Sequence, residues 1–579
     1  MSAPSAHSVA LLVAAAAPFQ GTTERWVCEA DLIFQGAVAD HRSYSLSASG
    51  DWNATLGAVG GPVVDILAGS YNNIDLVEPQ ANTVGSFSLY VGPYNWQQQT
   101  ACHPTGATTE VRVENELLGD RLGFCVAFVG DIDEDGNDDI AASAIRGPYD
   151  SSADPEWTQN GRVYFFFSSD VGTGFAPSTL PTGQQVIANA SNASIIVTNN
   201  GEGVRLGDRF GHAIAAVGDQ DEGGTFDIAV GAPGSHLSPL DYYGRVFVIS
   251  GEALKDAFDN QVQTLDLFLA GSYALNAAIV CGQYDGDGLD LDEDGDPLFP
   301  VRDRFGFSIA YLGEATSVID YKDFAVGAPQ FLNAPDLQNG GFVEIDLDRT
   351  GYVNVITDTG THINRFNGEF INDRYGFCVA GQTDVAGVDS RSELIIGAPR
   401  WDSIDLVDPR ESQFDVGKVY VVSATNGGSV LTQGVEIRGV QDGENLGHWV
   451  YGLPDVNGDS KDEFMAGSWR ADKSQRFTQD PFPCSCQFSN PIGTADEDRL
   501  GGGSVGSLSV YEGVNDQVAK KYWGESAKDS AGNPSVYAPG IGPNGEDALI
   551  VGSARWPFHS EIQGVQVKEK GRVYVFLLE

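Results

Sequence analysis

The residues best suited to chemistry in this sequence are oxygen-bearing side chains that alternate along two short loops, at 131–139 and 455–463. Positions 1, 3, 5 and 9 of each loop carry a carboxylate or a carboxamide, and the carbonyl of position 7 can join them. Ca²⁺ accepts roughly six to eight oxygen ligands in a flexible geometry, and a bound cation neutralises carboxylates that would otherwise repel one another. We therefore predict two calcium loops, with Asp131, Asp133, Asp135, Asn137 and Asp139 in the first and Asp455, Asn457, Asp459, Lys461 and Glu463 in the second.

Two further acidic segments match this pattern less well. One keeps Asp219, Asp221 and Asp227 but has Gly223 at position 5, so binding and an empty polar turn are equally open. The other is an insertion with Asp290, Asp292 and Asp294 in a D-x-D-x-D-G pattern. It is either a further calcium site, which we favour, or a solvated acidic run.

A second chemical pattern combines arginine with aromatic residues at the start of several long loops. Such side chains suit stacking on sugar rings, cation–π contacts and pairing with carboxylates. The alternative is that the tryptophans cap the core and the arginines pair with neighbouring aspartates. The candidate ligand-binding residues are Tyr71, Arg146, Tyr149, Arg400, Trp401, Trp469, Arg470, Arg555 and Trp556.

The charge of the chain restricts its partners. Its 579 residues include 80 Asp and Glu against 33 Lys and Arg, so the formal net charge is −47. Nucleic acids and anionic membrane surfaces need a cationic face, and we exclude both as partners. Beyond the N-terminus no run approaches the length of a membrane span, so we predict no transmembrane segment.

The N-terminal segment resembles a leader sequence. The run VALLVAAAA at 9–17 has the length of a signal-peptide core, although no Lys or Arg precedes it. We interpret 1–25 as a signal peptide or a disordered N-terminus and expect a secreted or cell-surface protein. N-glycosylation sequons at Asn53, Asn189 and Asn192 are compatible with export.

The elements that position these residues come from an internal repeat. A turn with Arg-aromatic-Gly leads into an apolar strand, an Asp-containing loop, a strand ending in Gly-Ala-Pro and a third strand that begins at Gly. Four short strands per unit without a helical period predict an all-β protein, a seven-bladed β-propeller over 26–579. The units lie near 37–90, 118–167, 206–250, 301–346, 372–423, 445–512 and 535–579.

The last unit ends on its third strand, which leaves the seventh blade one strand short. We predict that Ala30–Gly36 pairs there, so that an N-terminal strand completes the last blade and covers its open edge. With the first strand of each unit innermost, the calcium loops lie on one face of the ring. Most long insertions then lie on the other face, and we call its axial end the mouth.

The repeated units resemble the FG-GAP repeats of the integrin alpha-chain N-terminal propeller. The resemblance covers almost all of the chain after about residue 30, and calcium loops of that family occupy the same place in the repeat. Related propellers serve adhesion, carbohydrate binding and occasionally catalysis, so the resemblance is specific for the fold and not for the function. Integrin alpha chains also place an aromatic cage near the mouth to hold their partner subunit.

These observations predict a calcium-stabilised extracellular recognition or adhesion module that binds a protein or glycan through its loop-rich face. One alternative is a lectin or a lyase-like enzyme acting on polysaccharides with the Arg and aromatic residues, and another is a structural subunit of a larger surface assembly. An enzyme is the less favoured interpretation, and we assign no catalytic residue. G-x-S-x-G from Gly502 and G-x-G-x-x-G from Gly540 lack the helix that each motif needs, and His212 and His448 are better explained as structural.

Overall fold

The computed structural model is built almost entirely from short β-strands. It describes residues 23–27, 30–35, 44–53, 63–74, 83–94, 96, 109–114, 120–145, 160–181, 183–199, 208–235, 243–269, 274–286, 303–313, 323–330, 350–356, 362–370, 372–385, 391–404, 412–424, 431–471, 506–512, 518–524, 530–553 and 571–578.

The strands are numbered in chain order. The first eleven are β1 (Thr23–Trp26), β2 (Leu32–Gln35), β3 (Ser45–Ser47), β4 (Ile66–Ile74), β5 (Thr83–Val91), β6 (Thr109–Glu114), β7 (Leu122–Gly130), β8 (Asp139–Ala144), β9 (Arg162–Phe166), β10 (Gln185–Asn189) and β11 (Ile195–Thr198). The next ten are β12 (Ile214–Ala216), β13 (Ile228–Ala232), β14 (Arg245–Ile249), β15 (Thr264–Asp266), β16 (Val280–Asp285), β17 (Ser308–Gly313), β18 (Asp323–Ala328), β19 (Tyr352–Ile356), β20 (His362–Asn367) and β21 (Cys378–Thr383). The last ten are β22 (Glu393–Ala398), β23 (Lys418–Ala424), β24 (Leu431–Arg438), β25 (Leu446–Gly452), β26 (Glu463–Ser468), β27 (Ser507–Glu512), β28 (Val518–Trp523), β29 (Ser535–Ala538), β30 (Ala548–Ser553) and β31 (Arg572–Leu577).

Helical structure is limited to short pieces within the described residues. One α-helix, α1 (Gly251–Asp259), follows the third strand of the third blade, and Ser250 caps its N-terminus. Three single 3₁₀ turns occur at Val171–Thr173, Pro177–Thr179 and Ala190–Asn192. Within the described part of the chain, no helix has the length and apolar character that a membrane span requires.

The strands form seven sheets, one for each predicted blade, and the first four strands of each blade pair antiparallel. Blades 1 to 6 begin with β3, β7, β12, β17, β21 and β25, and blade 7 begins with β29. These innermost strands contact one another in that order, and β29 contacts β3, so the ring is closed. The predicted seven-bladed all-β propeller is therefore confirmed.

The second strand of blades 2 to 7 is buried along its whole length because it is covered on both sides. In β8, β13, β18, β22, β26 and β30 every residue is buried. Neighbouring blades supply that cover: one core cluster combines Val246 and Val248 of blade 3 with Phe324 and Val326 of blade 4. Burial on both faces explains continuous apolar runs where a half-exposed strand would alternate.

A glycine pair explains the repeated Gly-Ala-Pro and aromatic-Gly phrases. A Cβ on Gly231, at the end of a second strand, would overlap the carbonyl of Gly306 at the start of the next blade. Gly306 has a φ of +84°, a conformation that side chains disfavour. The close approach of two main chains therefore requires both glycines.

The N-terminal segment closes the ring as predicted. β2 pairs antiparallel with β31, with Phe34 opposite Val573, and completes blade 7 as its fourth strand. The Phe34 ring also stacks on Tyr90 of blade 1 with centroids 4.1 Å apart. One short strand thus joins the last blade to the first.

Three blades have a fifth strand that the repeat pattern did not predict. β10 and β15 pair parallel with the outermost strands of blades 1 and 2, and β1 pairs parallel with β28 of blade 6. Residues 23–25 of the predicted leader segment lie in β1, whereas residues 1–22 lie outside the described part of the chain.

Candidate metal sites and the mouth

The loop at 131–139 connects the first two strands of blade 2 and folds back on its own carboxylates. Oxygen atoms of Asp131, Asp133 and Asp139 lie within 4.8 Å of one another. The main chain closes the loop, because the N–H groups of Asp135 and Gly136 donate to the two oxygens of Asp131 at 2.9 Å. The loop therefore presents several acceptor oxygens around one point, an arrangement that suits a hard cation.

The most buried carboxylate of this cluster is Asp139. It is fully buried, and it accepts hydrogen bonds from the N–H of Ile132 at 2.8 Å and of Ser168 at 2.9 Å. Burial, with the nearby Asp133 carboxylate, raises the pKa of Asp139 to about 8. A bound divalent cation would reverse this effect, because it favours the charged form.

The loop also joins two blades through its eighth position. The Asp138 carboxylate accepts from the N–H of Asp51 in blade 1 at 2.8 Å, and the N–H of Asp138 donates to the Asp51 carbonyl at 3.0 Å. In blade 6, Asp462 makes the same pair of bonds with Asp384 of blade 5, at 2.7 and 3.1 Å. Loop conformation and contact with the preceding blade are thus linked.

The loop at 455–463 repeats this geometry in blade 6. Oxygens of Asp455, Asp459 and Glu463 lie within 4.8 Å of one another. The buried Asn457 accepts from the N–H of Asp459 at 2.8 Å and donates to Glu463 at 2.6 Å. Burial, with Asp455, Asp459 and Asp462 nearby, raises the pKa of Glu463 to about 8. The N–H of Lys461 donates to Asp459 at 2.9 Å, which places position 7 against the cluster.

The third loop, at 219–227, folds in the same way despite its glycine at position 5. The N–H groups of Gly223 and Gly224 donate to the two oxygens of Asp219 at 3.0 and 2.9 Å. Asp227 is buried, and burial raises its pKa to about 6. Asp221 and Asp227 converge within 4.8 Å together with the sulfur of Cys281 on β16.

A carboxylate from outside this loop lies beside the position that lacks one. A Cβ built on Gly223 would stand 2.9 Å from Oε2 of Glu252, which lies in the first turn of α1. The sequence pattern missed Glu252 because the helix begins well after the loop. The signal that could have found it is Ser250, an N-cap residue followed by an acidic first turn.

Part of the predicted metal set lies elsewhere. Asp290, Asp292 and Asp294 fall outside the described residues, so the acidic insertion stays a prediction. In the described part of blade 7, the loop between the first two strands differs from those of blades 2 and 6. Its carboxylate Asp547 accepts hydrogen bonds from other groups of the blade and is not part of an acidic cluster. There Asp547 accepts from the Tyr537 hydroxyl at 2.5 Å and from the N–H of Gly540 at 2.8 Å.

The predicted ligand residues of the mouth have different locations. Arg146, Tyr149, Arg555 and Trp556 lie outside the described residues, as does the side chain of Tyr71 in β4.

Trp401 is described, and it is buried between blades 4 and 5. Its indole N–H donates to Glu369 at 2.9 Å, and its ring lies 4.8 Å from Nζ of the fully buried Lys418. Lys418 pairs with Glu369 at 2.5 Å and with Glu436 at 2.6 Å. Trp401 therefore belongs to a structural network, in line with the core-capping alternative.

Trp469 and Arg470, in contrast, join a chain of rings around the axis. The Arg470 guanidinium lies 4.5 Å from the Trp469 ring, which lies 5.1 Å from His448. Successive centroids are separated by 4.3 to 5.1 Å across six blades. We call this set the aromatic ring, and its members are Tyr44, Phe124, His212, Phe307, Phe377, His448 and Trp469.

The aromatic ring marks the mouth because five of its members directly follow the turn glycine, near the start of the innermost strand. The calcium loops follow the other end of those strands. Nδ1 of His212 bonds the Phe307 carbonyl at 3.0 Å, so it donates there. Burial, with Arg209 nearby, lowers the pKa of His212 to about 3, which keeps the imidazole neutral.

Arginines accompany the aromatic ring. Arg121, Arg209, Arg304 and Arg374 occupy the same repeat position, two residues before the turn glycine, with φ between +57° and +61°. Arg400 lies in the mouth-side turn after β22, 4.0 Å from Asp415. We call these four residues, with Arg400 and Arg470, the arginine crown.

Comparison with known proteins agrees with this architecture. No protein-family model matches the chain. Human phosphatidylinositol-glycan-specific phospholipase D is 24% identical over 319 residues, which cover 54% of this chain and 31% of that protein. Mouse integrin alpha-E is 28% identical over 188 residues, covering 31% of this chain and 14% of the integrin. Mouse integrin alpha-IIb is 29% identical over 184 residues, covering 29% and 16%.

The chain resembles an integrin alpha propeller. The matched region is less than a third of the length of each of these relatives, so the likeness concerns the propeller and not their other segments. Closed seven-bladed topology, glycine pairs between blades and acidic loops after the first strand all agree with the resemblance.

Proposed function

We propose that this protein is a calcium-stabilised extracellular propeller that recognises a protein partner through its mouth. The observation that carries the proposal is the aromatic ring, which runs through six blades at the end of the channel opposite the acidic loops. The resemblance to integrin alpha chains supports a role in adhesion or protein recognition.

Calcium fits the donor sets of the acidic loops. The clusters in blades 2 and 6 consist of carboxylate oxygens within 4.8 Å of one another, with no sulfur or imidazole donor among them. Hard cations prefer such ligands, and Ca²⁺ tolerates irregular geometry better than Mg²⁺ does. In blade 3, Glu252 would contribute an oxygen that the loop itself lacks. The cation would neutralise these carboxylates and hold each loop against the preceding blade.

The aromatic ring suits recognition because the scaffold holds it in place. Six of these side chains come from the innermost strand of a blade or from the turn just before it, and Trp469 follows the second strand of blade 6, so their positions follow from the packing of the whole propeller. Tyr44 is 37% exposed, and the other members are half-buried. Pre-arranged aromatic side chains provide contact area at low entropic cost, as binding hot spots do.

Export would suit this chemistry. Extracellular modules bind calcium with dissociation constants of roughly 10⁻⁴ to 10⁻³ M, which open and partly exposed loops can reach. The apolar run at 9–17 would direct secretion, and it lies outside the described residues.

A test measures binding of the labelled protein to the surface of the cells that produce it, in calcium. The double variant Tyr44→Ser, Trp469→Ala removes two rings from the mouth, and Ile187→Ser removes an apolar side chain that is 67% exposed on the outer strand β10. We expect the mouth variant to bind about tenfold more weakly, since each anchor is worth more than about 1 kcal/mol. The Ile187 variant should bind like the wild type. Equal binding by all three proteins, with similar melting temperatures, would contradict recognition through the mouth.

A further inference from the structure

The arginine crown places long cationic side chains where the backbone disfavours them. Arg121, Arg209, Arg304 and Arg374 all have φ near +60°. Asn is the side chain that tolerates this region best after glycine, and other residues pay on the order of 1 kcal/mol. Blade 6 indeed has Asn445 there, with a φ of +57°. Four arginines at strained positions in consecutive blades therefore indicate a role beyond the turn.

The positive charges of the crown are close enough to affect one another. Burial, followed by Arg400 and Arg470, lowers the pKa of Arg374 to about 10. The acid that precedes each turn arginine is buried, and burial raises the pKa of Asp208 and of Asp373 to about 7, so these acids offset only part of the arginine charge. Positive charge thus gathers at the mouth, in a chain that has only 33 basic residues against 80 acidic ones.

The positive charge of the arginines determines which ligands can bind at the mouth. A ring of aromatic faces alone would attract a cation. The arginines around it oppose a cation and favour an anion, and guanidinium groups pair with carboxylates through two parallel hydrogen bonds. Because the net charge of −47 repels acidic partners elsewhere, the crown also determines where such a partner docks.

The packing of the rings favours a peptide over a sugar. Neighbouring rings are tilted by 38° to 52° with their centroids 4.3 to 5.1 Å apart, so each ring partly covers the next. Stacking of a pyranose needs one open, flat face. Narrow gaps between tilted rings suit single side chains better.

We propose that the mouth binds an acidic segment of a protein partner, with the arginine crown pairing with its carboxylates and the aromatic ring contacting its apolar atoms. This inference rests on the proposed function and specifies the chemistry of the partner. Arg209 and Arg470 are the exposed members of the crown and should make the first contacts.

The experiment uses fluorescent hexaglutamate and hexalysine peptides and a galacturonate hexasaccharide, titrated with the full-length protein in calcium at about 150 mM salt, where charges are screened beyond roughly 8 Å. The test variant is Arg209→Asn, Arg470→Gln, and its first substitution introduces the residue type that blade 6 has at this turn. The control is Arg438→Gln, which removes an exposed arginine from the outermost strand of blade 5. We expect hexaglutamate to bind the wild type and the control equally, and to bind the test variant at least about tenfold more weakly.

Three results would overturn the inference. These are equal hexaglutamate affinity in the test variant and the wild type, tighter binding of hexalysine, or tighter binding of the galacturonate, which would assign the mouth to a glycan.

The cell-surface assay separates this failure from that of the proposed function. If the Tyr44 and Trp469 variant loses cell binding while the arginine variant keeps it, the mouth still recognises a partner and only the anion preference is wrong. If both variants keep cell binding, the proposed function fails as well.

Discussion

Both ends of the innermost strands have repeated carboxylates, and the two sets differ in their neighbours. After the strand, oxygens of Asp131, Asp133 and Asp139 converge within 4.8 Å. Before the strand, each turn arginine follows a buried acidic residue, and three of these acids, Asp208, Asp303 and Asp373, accept hydrogen bonds from other donors. Asp303, for example, accepts from the Gln330 amide at 2.9 Å and the Tyr352 hydroxyl at 3.1 Å.

The comparison teaches that repetition of an acidic residue does not make a metal site. A carboxylate that receives hydrogen bonds from its own blade can remain buried without a cation. Carboxylates that share one space repel one another and need a positive charge. The two ends of the innermost strands therefore differ in whether their carboxylates contact one another, and not in how many carboxylates they have.

Of the changes predicted here, removal of calcium should lower the stability of the fold most. It should act only through the acidic loops that follow the innermost strands. Each site that binds calcium only in the folded state adds about 2.7 kcal/mol to the free energy of unfolding at a calcium concentration 100-fold above its dissociation constant. We expect EDTA to lower the melting temperature by at least about 5 °C, as followed by circular dichroism. Mg²⁺ should restore less of the loss than Ca²⁺, because it requires octahedral geometry.

A matched pair of variants tests whether calcium binds only at the end where the carboxylates converge. Asp133→Asn changes a converging carboxylate, and calorimetry should count one calcium fewer per chain. Asp303→Asn changes a hydrogen-bonded carboxylate at the mouth end, and it should keep the full count and the full response to EDTA. Loss of calcium from the Asp303 variant, or none from the Asp133 variant, would remove the distinction between the two ends.

The sequence predicted most of the fold because the repeat records two local constraints. The central residues of second strands must be apolar on both faces where both faces are covered, and the glycines must recur where the main chains of neighbouring blades touch, as at Gly231 and Gly306. The closing strand followed from a count, since the last unit lacked a fourth strand. The fifth strands β1, β10 and β15 come from segments without a repeat, and only tertiary packing decides their partners.

The site was less predictable because it depends on distances across the ring. Phe124, Phe307 and Phe377 recur after the turn glycine, and the sequence showed that repetition. Their convergence on the axis required the closed ring. Trp401 shows the opposite case: it follows a second strand as Trp469 does, yet it packs over Lys418 between two blades.

The third acidic loop, at 219–227, tests more closely whether contact between acids makes a metal site. It has no carboxylate at position 5, and Glu252 of α1 lies beside that position. Glu252→Ala should weaken calcium binding at this loop about tenfold, since fewer charged ligands lower the affinity of a calcium site. Adding Gly223→Asp to that variant should restore the affinity, because an aspartate at position 5 would then enter space that the Glu252 carboxylate occupied. Calorimetry would measure this in a protein whose other two loops are silenced by Asp133→Asn and Asp459→Asn.

Asp256→Ala is the control for the helix, since Asp256 is an exposed acidic residue of α1, four residues after Glu252. It should leave calcium affinity unchanged. Equal calcium affinities for the Glu252 and Asp256 variants would mean that Glu252 is not a ligand. The residues of the loop at 219–227 would then bind calcium by themselves.

The smallest expected effect concerns a buried acid at the mouth end. Burial raises the pKa of Asp208 to about 7, against weaker opposing effects of Asn199, Arg245 and Ser235. Because this pKa lies above the unfolded value of about 3.9, the stabilising contribution is complete at low pH and is lost as the pH rises through about 7. Asp208→Asn does not titrate, so its free energy of unfolding relative to the wild type should increase by about 1–2 kcal/mol between pH 5 and pH 8 in urea unfolding with calcium present. Asp259→Asn, at a carboxylate 57% exposed, should show no such trend. A constant difference for the Asp208 variant would mean that the hydrogen bonds of Asp208 keep it ionised, as an isolated acid with its own donors can be.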